Sequence, residues 1–83
     1  MFNITIDVTK EELLDAVEKE NKQYIEDNYS NIIQSEIEML EDYIDDGGIE
    51  AINTVNDNRG ELNISNDEGE EIGSVGYYAT ITI

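Results

Sequence analysis

Phe2, Ile4, Ile6 and Val8 alternate with Asn3, Thr5 and Asp7, the period-two pattern of a strand with one buried face. Thr9 follows with a hydroxyl able to cap a helix, and Glu12 stands three residues later. In that pairing each side chain satisfies a backbone amide that the helix start leaves free. A helix is therefore predicted from about Lys10. Its apolar positions, Leu13, Leu14, Val17, Tyr24 and Ile25, are taken up again by Tyr29, Ile32, Ile33, Ile37, Leu40 and Ile44 at helical spacing.

Asp27-Asn28-Tyr29-Ser30-Asn31 interrupts that series with residues that favour caps and turns, so two helices are expected, divided there. A single helix from Lys10 to Asp46 would be about 55 Å long, more than a small sheet covers, and would imply a dimer. Gly47-Gly48 is expected to end the second helix. Ile49, Ile52 and Val55 suit a short helix, while the β-branched content of 49–55 also permits a strand toward Asn58-Arg59-Gly60. Leu62 and Ile64 alternate within Glu61–Ser65, Asn66-Asp67-Glu68-Gly69 reads as a turn, and Val75, Tyr77, Ala79, Ile81 and Ile83 share one face of a strand over 74–83. Residues 1–83 thus read as one α+β domain: a small antiparallel sheet of three to four strands, two helices on one face, and the first strand beside the last.

Charge alters this picture. The chain carries 21 acidic and 4 basic residues, a formal net charge of −17, and a compact fold must hold that charge against its own repulsion. Strongly acidic chains are often disordered, yet five Tyr, one Phe and many Ile argue for a core. Lys10, Lys19 and Lys22 sit together near the start, and Arg59 is the only base after them. A surface that neutralises phosphate needs the opposite sign, which disfavours direct nucleic-acid binding and adhesion to an anionic membrane. The expected partner is a basic protein. Without cysteine, a membrane-length apolar run or a signal-peptide core, a cytoplasmic setting is expected.

With neither His nor Cys, the usual acid-base, nucleophilic and zinc-ligating groups are missing; no enzyme activity, cofactor or metal site is expected. A calcium loop centred on Gly47 would place Ile44 at its third position and Asn53 at its twelfth, where ligating oxygens and a bidentate Glu belong. Gly69, Gly73 and Gly76 lack the lysine of a phosphate loop and read as turn or bulge positions.

What remains is the order of the carboxylates. Glu36, Glu38, Glu41, Asp42, Asp45 and Asp46 run without a base, and Glu50 follows the glycines. From 36 to 46 a helix rises about 15 Å, over which duplex DNA carries roughly nine phosphate charges. Asp67, Glu68, Glu70 and Glu71 form a second cluster at the predicted hairpin tip. A solvated face of an acidic or halophilic protein is the plain alternative. It leaves unexplained why Glu38 and Asp42, or Glu41 and Asp45, stack like charges at a spacing that ordinary helices use for opposite ones. Tyr24, Tyr29 and Tyr43 read as the edge of the core, and one of Tyr77 and Tyr78 is expected to be exposed.

In size, charge, lack of Cys and His, and carboxylates set in rows, the chain resembles small phage-encoded inhibitors that mimic DNA, such as anti-CRISPR and anti-restriction proteins. Small α+β anti-CRISPR proteins are the nearest likeness. The resemblance implies a protein that binds the basic DNA-binding or PAM-reading site of a Cas effector in the host-cell cytoplasm, as monomer or homodimer. The alternative is an acidic interaction module, antitoxin-like or a chaperone for a basic partner.

Overall fold

The structure is a computed structural model that describes residues 2–82; Met1 and Ile83, the last residue of the predicted final strand, lie outside them. Strand β1 (Asn3–Ile6) alternates as its sequence requires, with Ile4 and Ile6 turned inward. At Thr9 the reciprocal cap forms: the Glu12 amide donates to the Thr9 hydroxyl at 3.2 Å, and the Thr9 amide donates to the Glu12 carboxylate at 3.0 Å. Helix α1 (Lys10–Asp15) starts there and buries Leu13.

α1 is much shorter than its periodicity suggests. After Ala16 the chain turns out of the helix, passes through a short 3-10 turn (Lys19–Asn21), and enters α2 (Lys22–Asp57). No Gly or Pro marks this break. Lys22 reaches back so that its ammonium donates to the Leu14 carbonyl at 2.5 Å and the Val17 carbonyl at 3.5 Å, satisfying oxygens that the end of α1 leaves free. Val17 is buried against the core by the same turn.

The expected break at Asp27–Asn31 does not occur; α2 runs straight through it. Asn28 donates its side-chain amide to the Tyr24 carbonyl at 2.8 Å, and Gln23 donates to Asp27 at 3.1 Å. These turn-forming residues have spent their hydrogen bonds within the helix. At the glycine pair the first helical stretch of α2 ends as expected, and a second stretch follows across a kink. Gly48 sits at φ 62° and ψ −142°, a conformation essentially closed to side-chain-bearing residues, and helix resumes from Ile49. The open segment 49–55 is therefore helical, burying Ala51 and half-burying Ile52 and Val55.

From Lys22 to Gly47 the helix rises about 38 Å, nearly the 41 Å length of the molecule. The chain itself covers this length. Strands β2 (Gly60–Ser65) and β3 (Glu71–Tyr77) form an antiparallel ladder, and β4 (Ala79–Thr82) pairs antiparallel with β1, Ile6 opposite Ala79. The fold is α+β, with the first strand beside the last, and the four strands form two ladders of two. The interruption is at Tyr78, which swaps ladder geometry for two bonds to Asp7: its amide donates to the Asp7 carboxylate at 2.9 Å, and the Asp7 amide donates to its carbonyl at 3.2 Å.

Two apolar clusters follow from this layout. Leu13, Val17 and Ile25 meet Leu62, Ile64, Val75 and Tyr77 in the first, and Ile44, Ala51 and Ile81 form the second around the bend, with Val55 touching both. Gly73 lets α1 close onto β3, because a methyl group there would fall on the Ala16 carbonyl. Asn56, near the end of α2, accepts the Ile81 amide on its side-chain oxygen at 3.1 Å, covering part of the outer edge of β4.

Candidate protein-binding surface

At 3.6 residues per turn, Glu38, Glu41, Asp42 and Asp45 fall within about 100° of arc on α2. This arc is opposite the stripe Ile32, Leu40 and Ile44 that meets the strands. Glu38, Asp42 and Asp45 are exposed and Glu41 is half-buried. Asp46 flanks the arc, and Glu50 lies beyond the bend, both exposed. Glu36 does not belong to the row. It shares the phase of Ile32 and Leu40 and points toward the strands, where its carboxylate accepts the Tyr77 hydroxyl at 2.6 Å. Burial, the hydrogen bond and the adjacent carboxylate together push the Tyr77 hydroxyl well above its ordinary pKa of 10.0, because each disfavours a second negative charge there.

The hairpin cluster stands apart from the helical one. Ser65, at the tip end of β2, shares a groove with Tyr24 and Asn28 near the start of α2, whereas Gly60, at the hairpin base, faces Leu40 and Tyr43. Asp67, Glu68, Glu70 and Glu71 thus project near the start of α2, while the helical row sits near its bend. All four are exposed. Asn66 orders their turn, its side-chain oxygen accepting the Glu68 amide at 2.9 Å and the Glu70 amide at 3.0 Å.

Three of the four bases have contacts away from the row. Lys10 pairs with Glu26, which raises its pKa, and its ammonium lies 5.3 Å from the centre of the Tyr29 ring. Lys22 is held by the α1 carbonyls, and the Arg59 guanidinium lies over Gly76. None of these meets the row on α2. Among the described residues, no three carboxylates converge into a metal-binding group, and no helix is long and apolar enough to cross a membrane.

Exposed apolar side chains border the row, a feature the sequence reading missed. Met39 is 64% exposed, Tyr43 49% and, beyond the bend, Ile49 74%. Met39 and Tyr43 stand one turn apart, a spacing that places them together beside Asp42 and Asp46. Tyr77 is the buried member of the tyrosine pair and Tyr78, at 60%, the exposed one. Tyr24 is half-buried and Tyr29 lies at the edge of exposure.

No protein-family model matches the chain, and neither a curated protein nor a solved structure does.

Proposed function

We propose that this protein is a DNA-mimic inhibitor, one that occupies the basic nucleic-acid-binding site of a host defence or DNA-processing enzyme, with a Cas effector as the first target to test. The observation that carries this reading is the row Glu38, Glu41, Asp42 and Asp45: one arc with no base in it, three of the four side chains exposed and Glu41 half-buried. Over the rise of about 10 Å that it spans, duplex DNA presents roughly six phosphate charges, a density of the same order. Carboxylates fixed on a rigid helix oppose Arg and Lys as phosphates do, with less ordering to lose on binding than a flexible tail. The role needs no catalytic step and would be played in the host-cell cytoplasm.

The exposed Met39, Tyr43, Ile49 and Tyr78 favour a second reading, an interaction module whose affinity comes from apolar anchors. Recovery of partners from a host lysate at low and high salt, followed by challenge with duplex DNA, separates the two. A DNA-processing enzyme released by salt and by DNA supports mimicry. A partner that resists both supports the module.

A further inference from the structure

Between α2 and β2 lies a groove of about 230 Å³ whose floor is Leu62 and whose walls include Tyr24, Asn28, Glu36, Met39 and Asn63. Its volume is below that of sites for drug-sized ligands and suits a single long side chain. Three features define what it would accept. Glu36 supplies a carboxylate, and among the described residues only Tyr77 donates to it, so acceptor capacity remains. Asn28 donates one N–H of its side-chain amide to the Tyr24 carbonyl, which fixes the amide and leaves its oxygen able to accept. No base lines the groove, and the molecule around it carries −17. A phosphate, a nucleotide or an acidic peptide is excluded by sign.

We infer that this groove is a receptor for one arginine side chain of the basic partner, with Glu36 as its charged anchor. The guanidinium brings five N–H donors in a plane, enough to address the Glu36 carboxylate and the amide oxygens of Asn28 and Asn63 together. Its flat faces pack against the Tyr24 ring and the Met39 thioether. A lysine ammonium offers three donors, is more strongly hydrated, and has no flat face to stack. Met39 stands at the border between groove and acidic row, so an arginine reaching over it enters from a partner already lying on Glu38 and Asp42. Glu36 thereby returns to the binding surface in a different capacity from its neighbours: they present a field, whereas it holds one side chain. The inference rests on the proposed binding of a basic protein, but not on that protein being an enzyme that handles DNA.

The test uses the whole protein and small probes. N-acetyl-argininamide, N-acetyl-lysinamide and the uncharged isostere N-acetyl-citrullinamide are titrated into ¹⁵N-labelled protein while amide shifts are followed. The expected result is saturable shifts at Asn28, Glu36 and Asn63 with the arginine probe, at least tenfold weaker binding of the other two, and no saturating change at Asp67 or Glu70. Glu36→Gln keeps an acceptor for Tyr77 while removing the charge, and should weaken the arginine probe tenfold or more, whereas Glu20→Gln, at an exposed carboxylate outside both groove and row, should change it less than twofold. Unsaturated shifts spread over all acidic faces, equal binding of citrulline, or an unaffected Glu36→Gln variant would each overturn the assignment. Glu36-dependent binding of the probe, together with a partner indifferent to DNA, would retain the groove and reject mimicry.

Discussion

Reversing Glu41 and Asp42 to Lys should stabilise the fold and abolish its binding at once. In the native row Glu38 and Asp42, Glu41 and Asp45, and Asp42 and Asp46 are like-charged pairs four residues apart, each unfavourable by about 0.2–0.5 kcal/mol. The double variant turns all three into attractive pairs, a swing of about 0.4–1 kcal/mol per pair, or roughly 2 kcal/mol together. Two cations are also placed toward the negative end of the straight part of α2, which acts in the same direction. For a domain of this size, about 2 kcal/mol raises Tm by roughly 8–16 °C, and the gain should shrink in 1 M salt as screening shortens to about 3 Å. Thermal unfolding followed by circular dichroism reads the stability, and the DNA-displaceable partner reads the binding, where two reversed charges facing Arg and Lys should cost at least a hundredfold in affinity. A variant no more stable than the parent would refute the claim that the row is held against its own repulsion. Unchanged affinity in a stabilised variant would refute the placement of the binding site.

Three further outcomes follow from other contacts. Tyr77→Phe removes the 2.6 Å bond to Glu36 and should cost about 1.5–3 kcal/mol at neutral pH. It should also flatten the alkaline limb: above pH 10.0 the unfolded state has released a tyrosine proton that the folded state keeps, so native stability should fall by about 1.4 kcal/mol per pH unit more steeply than that of the variant, as denaturant titrations at pH 9 to 11 will show. Gly48→Ala forces a side chain into φ 62° and ψ −142° and should lower stability by about 1–3 kcal/mol, read by chemical denaturation; an unchanged midpoint would mean the bend is not fixed by this residue. Lys22→Met keeps the stem but leaves the Leu14 and Val17 carbonyls without the ammonium, and should speed hydrogen exchange in α1 more than in β2, with equal protection in the two as the contrary result.

What could be read from the sequence was whatever its local neighbours decide. The alternation of 2–8, the Thr9 and Glu12 pairing and the Asn66–Gly69 turn all appear where their spacing puts them, because each is settled within a few residues. The division between α1 and α2 is settled by Lys22 reaching back to Leu14 and Val17, a contact with no composition signal at the break itself. Asn28 misleads for the converse reason: its tendency to turn the chain is met inside the helix by the Tyr24 carbonyl. Glu36 was within reach of simple arithmetic, being four residues from both Ile32 and Leu40 and so in phase with the buried stripe, but its charge groups it with the row. Met39 carries a similar lesson. Nothing in its neighbours marks Met39 as exposed, and only the position of the strands shows it to lie outside the core.

The pairing of β1 with β4 also bears on how the chain is made. Ile6 cannot meet Ala79 until the intervening chain exists, which at 5–20 residues per second takes roughly 4–15 s. During that interval α1 and α2 can form from nearer contacts, while Ile4 and Ile6 wait on an unpaired strand open to other nascent chains. Mutual repulsion between strongly anionic copies would keep such chains apart until the last strand arrives.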